Sequence, residues 1–207
     1  MPYDYTDAPP PRDITELIPH GTIATLVTHI RSGGVGEDGV LTRTQKGDAE
    51  MLVCEFTVAD GKHKGRKFFE NLILEGTTDG HAEAAKISRS KLRAILDSAL
   101  GLKPDDASPQ ARTARTVGLK EFEGKAFIGK IGVEKGGPKE DNAGNLTGEN
   151  WPDKNILAAV ITPDKKEWHP SEQPPPFNGG NSGGATSATP SSSPALPIEP
   201  PSWARQS

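Results

Sequence analysis

Cysteine is almost missing from this chain of 207 residues: Cys54 stands alone. One thiol excludes an internal disulfide framework and leaves no thiolate cluster for zinc. Its place in an apolar strand pattern makes it a buried small hydrophobe rather than a reactive group. No apolar run approaches the roughly 20 residues of a membrane span. The opening residues are polar, proline-rich and acidic, unlike a signal peptide, so a soluble, cytoplasmic protein with no membrane association is expected. Catalytic signatures are wanting as well. There is no HxxxH pair, nucleophile elbow or carboxylate pair. The loop GLKEFEGKA at 118–126 has one residue too many between its glycines for a phosphate loop, and no Ser/Thr follows its lysine. No catalytic residue, metal site or cofactor is therefore expected. Positive charge is not in excess either: the net charge is -4 and the pI is near 5.8. That balance does not advertise nucleic-acid binding, although a local groove can be positive on an acidic protein.

Hydrophobic residues make up only 33% of the chain, against 19 Pro and 23 Gly, and the mean hydropathy is -0.57. Part of such a chain cannot bury enough apolar surface to offset its ordering entropy. The composition divides it into a flexible leader at 1–18, one folded domain at 19–165, and a Pro/Ser/Gly-rich disordered tail at 166–207.

The stretch around which the domain is organised is MLVCEFTVADGKHKGRKFFENLIL, residues 51–74. Leu52, Cys54, Phe56 and Val58 alternate with Glu55 and Thr57, the period of a half-buried strand. Asp60-Gly61 opens a turn and Gly65 ends it. Lys62, Lys64, Arg66 and Lys67 follow one another there with no acidic residue among them. Phe68 and Phe69 come next. Adjacent strand residues point to opposite faces, so one of the two joins the core and the other stays outside near the cations. A basic edge beside an exposed aromatic suits a groove for single-stranded nucleic acid.

Around this hairpin, 22–30 reads as a first strand, with Ala24, Leu26 and Ile30 on one face and His29 on the solvated other. Residues 31–50 read as a Gly-rich loop carrying Arg31, Arg43 and Lys46. Apolar positions Ala84, Ile87, Leu92, Ile95, Leu96, Ala99 and Leu100 give helical periodicity over 79–100, with Thr78 or Asp79 as cap and Gly101 just past the end. Lys86, Arg89, Lys91 and Arg93 line its polar side. A polar connection at 103–116, a strand at 125–133, a second long loop at 134–153 with Lys135, Lys139 and Trp151, and a last strand at 155–161 complete the domain. Phe56 and Phe127 are read as core. The order predicts a mainly β fold: a five-stranded barrel of the OB type with one α-helix between strands three and four. In that fold the face of strands two and three and the loops after strands one and four bind oligonucleotides or oligosaccharides, and both long loops fall at those positions.

The run Phe56-x-Val58-x-Asp60-Gly61-x-x-Lys64-Gly65-Arg66-Lys67-x-Phe69-x-Asn71-Leu72 resembles the central motif of a bacteriophage family of single-stranded DNA-binding proteins. The helix pattern Ala85-Lys86 with Leu92, Ile95, Ala99 and Gly101 is similar too, as are Phe122-Glu123-Gly124-Lys125 and Asn155-Ile156. The resemblance spans roughly 19–163. It implies an OB-fold protein that coats single-stranded DNA in phage replication or recombination, in the host cytoplasm. Replication or recombination proteins and further copies of the chain are then candidate partners. The loops at 103–116 and 134–153 are long for the family. The tail, with Glu172 and Glu199 against Arg205, lacks the acidic tip through which many such proteins recruit partners.

On this reading Lys62, Lys64, Arg66, Lys67, Arg43 and Lys46 neutralise phosphates, with Lys130 and Lys154 as weaker additions. Bases stack on Phe68 or Phe69 and on Trp151. The competing reading is a protein-interaction or virion-structural module on the same barrel, its basic hairpin a solvated edge that blocks aggregation.

Overall fold

The alternating segments of the sequence become the long strands of one antiparallel sheet. The structure is a computed structural model and describes residues 16–140 and 145–170. Its elements are β1 (Ile23–Arg31), β2 (Thr42–Arg43), β3 (Ala49–Val58), β4 (Lys67–Gly76), α1 (Asp79–Leu100), α2 (Pro109–Ala114), a 3-10 turn (Leu119–Phe122), β5 (Ala126–Glu134), β6 (Pro138–Glu140), β7 (Leu146–Asn150) and β8 (Lys154–Ile161). The protein is mainly β, with one long helix between β4 and β5.

The five long strands run in the order β4-β3-β1-β5-β8, each antiparallel to its neighbour. The short β2 pairs with the start of β3 at Glu50 and Met51, on past the point where β1 leaves it at Val53. A second, separate pairing joins β6 to β7. The expected barrel is not closed: among the described residues no backbone ladder joins β4 to β8. Side chains bridge the two edges instead. A Glu70 carboxylate oxygen accepts from the Leu157 amide at 3.2 Å. Lys91, from α1, pairs with Glu70 and donates to the Leu157 carbonyl at 3.3 Å. The edge groups that would have made a ladder are thus partly satisfied by a carboxylate and an ammonium.

The core lies on the inner side of the sheet. Leu52, Cys54, Phe56 and Val58 all face inward and are buried. Phe56 is its centre, with ring centroids 5.4 Å from Phe68 and 5.6 Å from Phe127. The Phe127 contact is edge-on, a favourable aromatic arrangement. Gly129 lets β5 approach this cluster, since a Cβ there would lie 2.4 Å from Leu26 Cδ1. Burial pushes the Cys54 thiol up to about 12, which makes it inert as a nucleophile.

Helix α1 has the expected bounds: Thr78 accepts from the His81 amide, and Gly101 adopts a left-handed φ of 68°. Its buried stripe differs from the periodic reading. Leu92, Ile95 and Leu96 pack inward, but Ile87 and Leu100 are exposed and Ser88, Asp97 and Ser98 are buried in their stead. Two of these buried polar groups have named partners. Ser98 accepts from the Ile128 amide at 3.0 Å, and Asp97 from Arg115 Nε at 2.6 Å. Arg115 also donates to the Lys103 carbonyl at 2.8 Å, which folds 103–116 back on α1. That connection is not merely a polar linker; Ser108 caps α2 within it, Pro109 opens the helix and Ala111 is buried.

Both domain boundaries move outward. Ile18, assigned to a flexible leader, is buried in the core. Asn155 accepts from its amide at 2.9 Å and donates to its carbonyl at 2.8 Å. Trp168, assigned to the tail, donates its indole N–H to the Ser98 carbonyl at 3.1 Å. The remainder of the leader and tail, residues 1–15 and 171–207, lies outside the described residues.

Candidate functional site

The outer side of β1, β3 and β4 brings Arg31, Glu55, Lys67 and Phe69 together. Register fixes who meets whom: His29 lies opposite Glu55, Glu55 opposite Phe69, and Thr57 opposite Lys67. Arg31, at the end of β1, belongs to the same side as His29 because strand residues two apart share a face. Phe69 is 50% exposed, in contrast to Phe68, which is 4% exposed on the core side. The Arg31 guanidinium carbon stands 5.6 Å from the centre of the Phe69 ring, within the range of a cation–π contact.

Between these groups Glu55 is only 3% exposed. Arg31 grips one of its oxygens through both Nε, at 2.8 Å, and a terminal nitrogen. Lys67 Nζ donates to the other at 2.6 Å. Burial acts to raise the Glu55 pKa, yet the hydrogen bonds and charges of Lys67 and Arg31 outweigh it and hold the carboxyl below its ordinary range. The result is an exposed ring framed by two cations that share one buried anion. His29 is turned aside, its Nδ1 3.0 Å from Glu123 rather than solvated alone.

The basic turn between β3 and β4 is built as its residues suggest. Gly61 and Gly65 take φ of 66° and 82°, and the Gly65 amide donates to the Val58 carbonyl at 2.8 Å. Asp60 does more than open the turn: it accepts from the Thr25 hydroxyl at 2.5 Å and so ties the turn to β1. Lys62, Lys64 and Lys67 are exposed or nearly so, with Lys62 and Lys64 on the turn itself. Arg66 is half-buried and donates to the Glu16 carbonyl.

The loop after β1 is more ordered than a long Gly-rich loop requires. Val35 bridges Leu41 and β2 joins the sheet. Arg43 pairs with Glu50 at 3.0 Å. Lys46 is exposed in a turn where Thr44 bonds Asp48 at 2.7 Å, holding that carboxyl below its ordinary range.

The loop after β5 carries the β6–β7 hairpin. Trp151 stands at its base, 59% exposed, with Lys139 Nζ 5.3 Å from the ring centre. Gly136 is required there, since a Cβ would collide with the Trp151 carbonyl at 1.6 Å. Lys135 pairs with Asp153 at 2.6 Å, which lowers the Asp153 pKa. Lys154 pairs with Glu134 at 3.0 Å. Lys130 shares the outer side but lies opposite Ile23, at the far end of β1 from Arg31.

Of the predicted residues, Lys67 and Phe69 meet in one cluster, and Lys62 and Lys64 stand on the turn that leads into it. Phe68 is corrected: it belongs to the core. Arg43 and Lys154 are cations already engaged by carboxylates. Sequence reasoning misses two members, Arg31 and Glu55. Arg31 reads as the first residue of a loop, although it continues the odd-numbered alternation Val27, His29, Arg31. Glu55 reads only as a residue of the polar face. An acid in the middle of a strand whose partner carries Lys67 and Phe69 is the available signal.

Among the described residues no group of three or more His, Cys, Asp or Glu could hold a metal ion, and no helix is long and apolar enough to cross a membrane. Comparison of the chain with protein-family models, curated proteins and solved structures finds no match in any of the three.

Proposed function

We propose that this protein binds single-stranded DNA without sequence preference and coats it stoichiometrically, doing no chemistry on it. The observation that carries the reading is Phe69, a half-exposed ring on a sheet face, framed by Arg31 and Lys67. An aromatic so placed offers a stacking surface that every base can use, worth about 1–3 kcal/mol per base. Lys62, Lys64 and Lys46 are cations that can neutralise phosphates and release counterions. Trp151, with Lys139 beside it, offers a second stacking surface.

The strand order supports the same reading at the level of architecture. Taken as five long strands, β4-β3-β1-β5-β8 with a helix between the third and fourth in sequence is the OB order. We read the fold as an OB barrel whose last seam is closed by Glu70 and Lys91 instead of by a ladder. Phe69 would then lie on the strands that such folds use for oligonucleotides, flanked by the loops that carry Lys46 and Trp151. The resemblance to the phage single-stranded DNA-binding family extends the proposal to phage replication or recombination, in the host cytoplasm, with proteins of those processes as partners. Fold alone assigns no function, so the chemistry of the face bears the weight.

The test is a fluorescence-anisotropy titration of a labelled oligo-dT strand against the same label on a duplex. Binding to the single strand is expected to be much tighter than to duplex, to differ little between base compositions, and to fall steeply with salt. Absence of single-strand binding at low salt would overturn the proposal and leave the face to a protein partner.

A further inference from the structure

The buried carboxylate of the Phe69 face has no place in a simple phosphate-binding surface. Glu55 holds Arg31, which stands over the ring, and Lys67, two residues from Phe69 on the same strand, one on each oxygen. Neither cation is buried: the side chains of Arg31 and Lys67 are 61% and 53% exposed. Glu55 therefore is not needed to rescue stranded positive charge from a dry interior. The desolvation cost falls the other way, since it is the anion that lies inside and the cations that solvate it. Its register partner His29 has its Nδ1 3.0 Å from Glu123.

We infer that Glu55 is a built-in counter-charge that limits the affinity of this surface, a conclusion that rests on the nucleic-acid reading given above. Held by the carboxylate, Arg31 is fixed over the Phe69 ring, 5.6 Å from its centre, where its guanidinium is itself a plane on which a base can stack. Lys67 is likewise tied down. Both are kept from phosphates, so stacking is separated from charge neutralisation on this face. The lysines of the turn supply the counterion release, and the framed ring supplies the contact with bases. A coating protein so built can be displaced by the machinery that follows it along the strand, because two of its cations are already engaged.

The consequence is opposite to that of an ordinary supporting residue: removing the charge of Glu55 strengthens binding. Glu55→Gln keeps the shape and frees Arg31 and Lys67 for phosphates. Single-strand binding loses affinity with salt at a log–log slope of about 0.7 per phosphate neutralised. Glu55→Gln is thus expected to steepen the slope by about 1.4 if both cations engage, with tighter binding than wild type at low salt and a gap that closes as salt rises. Glu55→Asp, which restores the charge, is expected to return the slope toward wild type.

The experiment is the oligo-dT titration across a salt series for wild type, Glu55→Gln, Glu55→Asp, Arg31→Gln and the double variant Arg31→Gln/Glu55→Gln. Arg31→Gln alone is expected to weaken binding through lost stacking with little change in slope. In the Glu55→Gln background the same change removes about 0.7 of slope. Wild-type binding with an unchanged or shallower slope in Glu55→Gln would overturn the inference and leave the proposed function standing. No wild-type binding at all would overturn the proposed function itself. Should Glu55→Gln fail to fold, Arg31→Gln alone decides: a full drop of about 0.7 in slope would mean that Arg31 meets phosphate in the native protein and is not restrained.

Discussion

Phe68 and Phe69, adjacent in sequence, have opposite fates in β4: Phe68 is 4% exposed and lies against Phe56, whereas Phe69 is 50% exposed and stands opposite Glu55. One residue serves the fold and the next serves the surface. Their alanine variants should separate cleanly. Phe68→Ala opens a cavity beside Phe56 and is expected to cost about 3–5 kcal/mol of stability, read by chemical denaturation. Phe69→Ala is expected to shift the denaturation midpoint far less, but to weaken oligo-dT binding by about 1–3 kcal/mol. Equal effects of the two variants on stability would contradict this division.

The turn that carries Lys62 and Lys64 is held in place by backbone bonds and by Asp60, not by its lysines. Charge reversal at both positions should therefore leave the melting temperature close to wild type. Affinity should fall uniformly across homopolymer sequences, with the salt slope reduced by about 0.7 for each phosphate no longer neutralised. A slope that did not move would take the turn out of the binding surface.

Gly129 is a packing position rather than a turn. A methyl group there meets Leu26 Cδ1 at 2.4 Å and Leu157 Cδ1 at 3.0 Å. Gly129→Ala should lower stability by about 1–3 kcal/mol through overpacking between β1, β5 and β8. Thermal unfolding checks it, and an unchanged midpoint would mean that the core gives way more easily than these distances allow.

Acid should act through Glu55. Its folded-state pKa is depressed by Lys67 and Arg31, so the stability it contributes is complete above the unfolded-chain value of about 4.3. That contribution is lost as pH falls through the lower folded value. The melting temperatures of wild type and Glu55→Gln should therefore converge in acid, since a protonated Glu55 is nearly a glutamine. Melting curves from neutral pH down to about pH 3, below the ordinary glutamate range, test it. A difference independent of pH would show that charge is not what distinguishes the two.

The parts of this fold that can be read from sequence are those in which a short-range pattern decides the outcome. Helix α1 is legible to its ends because Thr78 and Gly101 are local signals. Strands β3 and β4 are legible because Leu52, Cys54, Phe56 and Val58 alternate. What is not legible depends on distant partners. Ser88, Asp97 and Ser98 look like solvent-facing residues until Arg115 and the Ile128 amide arrive to satisfy the latter two. Ile18 looks like leader until Asn155 closes on it. Element order predicts the barrel, but order says nothing of whether β4 and β8 come close enough for a ladder. Within the site, the basic turn and the aromatic pair are visible in the sequence. The Arg31–Glu55–Lys67 cluster is not, because it is made of three strands and only the register brings its members together.

The pairing of β1 with β5 also sets a timetable. Ile23 lies opposite Lys130 in the ladder, so one flank of β1 has no partner until the chain beyond α1 has been synthesised. The other flank meets β3, itself paired with β4, and these three strands can assemble while the ribosome is still at work. Arg31, Glu55, Lys67 and Phe69 all belong to that early half. The side-chain bridge from Glu70 to the Leu157 amide must wait for β8. Sheets that depend on such distant pairings fold slowly, in roughly milliseconds to seconds, and during that interval the inner side of β1 is open to other chains.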